Sequence, residues 1–185
     1  MPDPAAAPAR AVFLDRDDTL IRNIPYLGDP ARVTLLPTVP EALARLRAAG
    51  YQLIVISNQS GVGRGLITPA QVTAVNQAME RLIGFPMDAY YLSYAAPGTP
   101  EAETERKPSP HLLFRAREER SLDLSASCMI GDKTIDIECA RNAGCRAALW
   151  VRTGTEPTES AGAQALADHS ANTLLEAANW ILQQP

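Results

Sequence analysis

Apolar residues in this chain come in short continuous blocks, each ending on a polar cluster, with stretches of helical spacing between them. The first block, Ala11-Val12-Phe13-Leu14, stops at Asp15. A short, uninterrupted apolar run of this kind predicts a strand buried on both faces that opens into a functional loop. Gln52 to Ile56 predicts a second strand, and Pro40 to Ala49 between them has helical spacing with Gly50 placed as a C-terminal cap. The alternation continues with a helix from about Pro69 to Ile83 capped by Thr68, a strand near Ala89 to Tyr94, a helix from about Pro110 to Arg120 and the strand Cys128 to Ile130. A helix near Ile135 to Ala143, the strand Ala147 to Val151 and a closing helix near Leu174 to Leu182 complete it.

Strands alternating with amphipathic helices predict an α/β fold: a doubly wound, Rossmann-like parallel sheet covered on both faces and joined by right-handed crossovers. At 185 residues the chain fits one domain, 1–185, with its C-terminal helix over about 172–183 and no insertion large enough for a cap domain. Two stretches, 22–37 and 95–109, lack a regular pattern and are the expected lids or substrate contacts. Residues 154–163 are expected to form a mobile surface loop.

In such sheets ligands gather beyond the carboxyl ends of the strands, and the polar motifs fall there. Asp15-Arg16-Asp17-Asp18-Thr19 follows the first strand and puts two carboxylates two residues apart, on one side of an extended chain. An isolated pair of this kind is usually a turn. Gly131-Asp132-Lys133-Thr134-Ile135-Asp136 follows the fourth strand, and a helix starting there sets Asp132 and Asp136 one turn apart on one face. Asp132 alone reads equally as a helix N-cap. With Asp15 these carboxylates make an oxygen-rich cluster suited to Mg²⁺, which uses few carboxylates and touches phosphate. Ser57 to Gly65 offers a hydroxyl, amides and flexible N–H groups as a cradle for phosphate oxygens, without the spacing of a P-loop or a dinucleotide fingerprint. Arg106 and Lys107 supply fixed positive charge, which a trianionic transition state beside several aspartates needs.

Composition narrows the function. Hydrophobic residues make up 46% and charged residues 21%, and the net charge of -4 carries no basic stripe, which disfavours nucleic acid as partner. The three cysteines, Cys128, Cys139 and Cys145, lack metal spacing and read as reduced thiols of a cytoplasmic protein. The N-terminus shows no leader, and no window approaches the eighteen or so apolar residues of a membrane span.

Together FLDRDDTL, ISNQSGVGRG, ERKPSP and GDKTID resemble the four ordered motifs of the haloacid dehalogenase superfamily. The chain is similar in particular to the D-glycero-D-manno-heptose 1,7-bisphosphate 7-phosphatase family, related to histidinol-phosphate phosphatases, over about residues 11–157. The resemblance implies a Mg²⁺-dependent monomeric phosphomonoesterase acting on a small phosphorylated sugar. It implies Asp15 as nucleophile and metal ligand, Asp17 as general acid and base with its carbonyl on the metal, and Asp132 as a further ligand backed by Asp136. Ser57 and Lys107 would hold the transferring phosphoryl group. Asn23, Tyr26, Asn58, Gln59, Ser60, Arg106 and Lys133 would recognise substrate. The family often carries a Cys/His zinc loop before its RKP element, but 94–105 contains neither residue type, so no zinc is expected. Histidinol phosphate and a polynucleotide 3'-phosphate are the alternative substrates, and a silent binding module on the same fold is the alternative from outside enzymes.

Overall fold

In a computed structural model, which describes residues 9–154 and 157–184 with the backbone alone for 157–161, the described strands form one sheet. They are β1 (Ala11–Leu14), β2 (Gln52–Asn58), β3 (Ala89–Ser93), β4 (Cys128–Gly131), β5 (Ala147–Val151) and β6 (His169–Ala171). All pair in parallel, in the spatial order β3-β2-β1-β4-β5-β6. The chain winds outward from β1 to β3, returns to the other flank of β1, and winds outward again to β6. This is the doubly wound sheet that the alternation predicts.

The helices are α1 (Val39–Ala48), α2 (Ser60–Gly63), α3 (Pro69–Ile83), α4 (Pro100–Glu105), α5 (His111–Arg120), α6 (Thr134–Ala143), α7 (Pro157–Leu166) and α8 (Leu174–Gln183). Side chains of β1 alternate between two cores: Val12 and Leu14 pack with α1, α3 and α8, and Ala11 and Phe13 pack with α5 and α6 and with Ala163 of α7. Every residue of β1 is fully buried, the physical reason its sequence is continuously apolar. Local signals set the helix ends. In α3 a capping box joins Thr68 and Gln71, Pro69 takes the first turn, and Gly84 closes it at φ 95.

Several expectations are corrected. The expected loop 154–163 is largely helix: α7 occupies Pro157–Leu166, while 155 and 156 lie outside the described residues. The stretch PTESAGAQAL has turn formers at its start and an alanine-rich remainder, and alanine is the strongest helix former. The unpatterned stretch 95–109 contains α4, capped by Thr99, and 22–37 contains a 3-10 turn at Pro30–Arg32. Ala49 caps α1, with Gly50 following at φ 85. The segment 1–8, read as carrying no leader, lies outside the described residues. Among the described residues no helix is long and apolar enough to cross a membrane.

Candidate active site

The winding reverses between β1 and β4, and the end of each strand delivers an aspartate there. Asp15 follows β1, and its N–H bonds the carbonyl of Ile130 in β4 at 3.0 Å. Asp132 follows β4. Lys107 reaches this point from the loop after β3 and α4. Its Nζ lies 2.5 Å from Asp15 Oδ1, 2.6 Å from Asp136 Oδ1 and 3.0 Å from the Ile56 carbonyl, with its side chain 2% exposed. Burial alone would lower the lysine pKa, but Asp136 and Asp15 outweigh it and the net direction is up, so Lys107 is held as a cation.

Asn58, the last residue of β2, positions that lysine. Its Oδ1 accepts the Lys107 N–H at 3.1 Å, and its Nδ2 donates to the Lys107 carbonyl at 3.3 Å. The Asn58 side chain, expected to face substrate, is thus engaged at both ends with the main chain of Lys107. Arg106 is tied in the same way, its guanidinium donating to the Ala95 carbonyl at 3.0 Å. Burial and the nearby Arg64 push the Arg106 pKa down. The turn after β2 and the loop after β3 are also locked together. A side chain at Gly63 would run into the Tyr94 carbonyl and the Ala96 N–H, so only glycine allows the backbones this close.

Asp15, Asp132 and Asp136 present carboxylate oxygens within 4.8 Å of one another. Burial first, then Asp15 and Asp136, push the Asp132 carboxyl up to about 8. Its Oδ1 is buried with no hydrogen-bond partner among the described residues. Hard oxygen donors, an unsatisfied buried oxygen and unbalanced negative charge fit a divalent cation such as Mg²⁺. Both oxygens of Asp136 already have partners: its Oδ1 meets Lys107 and its Oδ2 accepts the Lys133 N–H at 3.0 Å. The N-cap of α6 is Lys133 rather than Asp132. A Cβ on Gly131 would collide with the Asp136 side chain, so a glycine ends β4.

Asp17 stands apart from the acidic cluster. Its carboxylate accepts from Arg16 Nη2 at 3.0 and 3.2 Å and from Gln59 Nε2 at 2.9 Å. Gln59 also donates to Ser57 Oγ at 2.9 Å. Asp15, Asp17, Ser57, Lys107 and Lys133 line one small cavity of about 50 Å³. A neighbouring cavity of about 240 Å³ is lined by Asp17, Asn23, Tyr26, Gln59, Ser60 and Lys133, among others. Arg106 lines neither of these two. For Lys133, burial lowers the pKa but Asp132, Asp15 and Asp136 raise it further, so the net direction is up. The structure therefore juxtaposes a carboxylate clamped by a cation, a second carboxylate on its own hydrogen-bond network, and a polar cavity beside both. That arrangement suits attack on a phosphoryl group.

Sequence reasoning missed three contributors. Arg16, which stands between the two predicted carboxylates and was assigned no role, is 1% exposed. Asn76 of α3 accepts from Arg16 Nη1 at 3.1 Å. Asp18, at φ 59, accepts the Asn23 N–H on Oδ1 at 3.0 Å, and its carbonyl accepts from Thr153 Oγ1. A polar residue within the apolar stripe of α3 was the available signal for Asn76.

A family model described as "HAD-hyrolase-like" matches residues 104–177. The D-glycero-D-manno-heptose-1,7-bisphosphate 7-phosphatase of Chlorobaculum tepidum is 38% identical to this chain, with 96% of each covered. The D-glycero-beta-D-manno-heptose-1,7-bisphosphate 7-phosphatase of Escherichia coli K12 is 32% identical, with 94% of each covered. Among solved structures, D,D-heptose 1,7-bisphosphate phosphatase from B. bronchiseptica, complexed with magnesium and phosphate, superposes with a TM-score of 0.84 at 28% identity, over 95% of this chain and 99% of that one. Likeness of this extent over nearly whole chains means that this chain belongs to the haloacid dehalogenase-like family of D-glycero-D-manno-heptose-1,7-bisphosphate 7-phosphatases.

Proposed function

We propose that this phosphatase removes the 7-phosphate of D-glycero-D-manno-heptose 1,7-bisphosphate with Mg²⁺, through a phosphorylated Asp15. The observation that carries the reading is the buried Lys107 ammonium, 2.5 Å from Asp15 Oδ1. It fixes one carboxylate oxygen and puts positive charge where a phosphate dianion must arrive. Substrate identity rests on the relatives' activity.

Asp15 and Asp132, with the Asp17 carbonyl, would hold Mg²⁺, which when bound supplies positive charge to phosphoryl oxygens. Asp15 forms the new bond to phosphorus as the bond from phosphorus to the sugar oxygen breaks, and Asp17 gives its proton to that oxygen. Water then attacks phosphorus, its proton passes to Asp17, and the bond to Asp15 breaks to release phosphate. Ser57 and Lys107 hold the phosphoryl oxygens, and the 240 Å³ cavity with Asn23, Tyr26 and Lys133 accepts the sugar.

The test compares turnover of the α and β anomers of heptose 1,7-bisphosphate, histidinol phosphate and a 3'-phosphorylated oligonucleotide. The heptose esters should be turned over fastest. Asp15→Asn should fold normally and lose turnover, since an amide cannot form the acyl phosphate. A trapped phosphate adduct on any residue other than Asp15 would sink the mechanism.

A further inference from the structure

We infer that Arg16 is a positioning residue for the acid–base step, holding Asp17 in place from an anchor on α3. The inference rests on the proposed role of Asp17. Arg16 is among the largest fully buried side chains of the described residues. A buried guanidinium is costly unless its donors are satisfied; Nε is buried with no partner among the described residues, and the partners of the two Nη groups define a single chain of contacts. Nη1 donates to Asn76 Oδ1 at 3.1 Å, across 60 residues of sequence. Nη2 donates to Gln59 Oε1 at 2.8 Å and to both oxygens of Asp17.

Gln59 then turns its Nε2 back onto Asp17 Oδ2 at 2.9 Å, so one oxygen of that carboxylate is approached by two side chains. Gln59 is itself fixed, its N–H donating to the Ser93 carbonyl at 2.7 Å. The main chain of Arg16 is equally restrained, since its carbonyl accepts from Leu20 at 2.9 Å and Ile21 at 3.1 Å. Asp17 therefore sits between a fixed arginine and a fixed glutamine, with its side chain 19% exposed toward the cavities. A flexible carboxylate in a loop gains from such a frame because proton transfer needs hydrogen-bond geometry to the departing oxygen.

A purely structural arginine and a positioning one are separated by leaving group. An alkoxide must be protonated as it departs, whereas p-nitrophenolate leaves without a proton. kcat/KM covers all steps through departure of the leaving group. Arg16→Met and Asn76→Leu should therefore lower kcat/KM for a sugar phosphate by about 10- to 100-fold, part of the ~10²–10⁴ that a general acid supplies. For p-nitrophenyl phosphate they should change it by less than about threefold, with nitrophenolate released in a burst as the base-assisted second step lags. Asn76→Asp, which keeps an acceptor oxygen for Nη1, should restore the sugar-phosphate rate should Arg16→Met fail to fold. Equal losses for the two esters, or no loss for either, would overturn the inference. Absence of turnover of either ester by the unaltered chain would instead overturn the functional reading beneath it.

Discussion

Replacing Asp136 by asparagine tests whether the lysine clamp is electrostatic. Both carboxylate oxygens of Asp136 accept: Oδ1 meets the Lys107 ammonium at 2.6 Å, and Oδ2 takes the Lys133 N–H at 3.0 Å. An amide has a single acceptor oxygen, and its nitrogen only donates. Whichever way the new side chain turns, one contact becomes donor against donor in a site where Asp136 is 1% exposed. Unit charges 2.6 Å apart attract by about 6 kcal/mol at an effective dielectric of roughly 20. Desolvation offsets part of that, and breaking a buried pair typically costs about 3–5 kcal/mol. Asp15 remains to pair with Lys107, which sets the expectation at the lower end, about 3 kcal/mol, or ~6–12 °C in melting temperature for a chain of this length. Circular dichroism melts in chelator measure it. In a Lys107→Met background the same substitution should cost less than about 1 kcal/mol, because the charge removed no longer has its partner. A melting temperature within about 2 °C of the parent, or an equal loss in both backgrounds, would refute the reasoning.

Asp132→Ala should raise the Mg²⁺ concentration needed for half-maximal turnover at least tenfold, and full activity of the unaltered chain in excess chelator would count against the metal assignment. Cys139 should resist iodoacetamide at pH 8 in the folded protein and react after denaturation. Burial pushes its thiol up to about 12, so almost no thiolate exists at pH 8, and alkylation at the rate of a free thiol would contradict this. Protein purified without chelators should contain no stoichiometric zinc by elemental analysis; a bound equivalent whose removal abolished activity would overturn that expectation. The segment where relatives' resemblance places a zinc loop is held here by Thr99 at the head of α4, by Arg106 on Ala95 and by Ser109 on Thr104.

Burial explains what was legible in the sequence. β1, β2, β4 and β5 lie inside the sheet with both faces covered, and continuous apolar runs announce them. β6 is a three-residue edge strand of His169, Ser170 and Ala171, too short and too polar to register, and α8 covers it by stacking Trp180 on His169 and packing its apolar face on Ala171. Asp15, Lys107, Asp132 and Asp136 could be picked out because each lies near the carboxyl edge of the sheet, and the fold brings all four together. Asn58 shows where such reasoning stops: its place at the strand end was legible, but its grip on the Lys107 main chain depends on a loop 49 residues away. Arg16 and Asn76 are harder still, since each is an ordinary polar residue until the fold buries them against one another.

The close approach at Gly63 bears on how this enzyme can be remodelled. The turn after β2 carries Ser60, and the loop after β3 leads through Arg106 to Lys107, yet the two share a contact with no room for a Cβ. They are one module rather than two. Exchanging the later loop for a relative's, to alter which esters are accepted, would shift the seat of Asn58 on Lys107 unless the earlier turn travelled with it. Successful chimeras should therefore carry both segments from one parent, and natural changes in loop length should occur in both together.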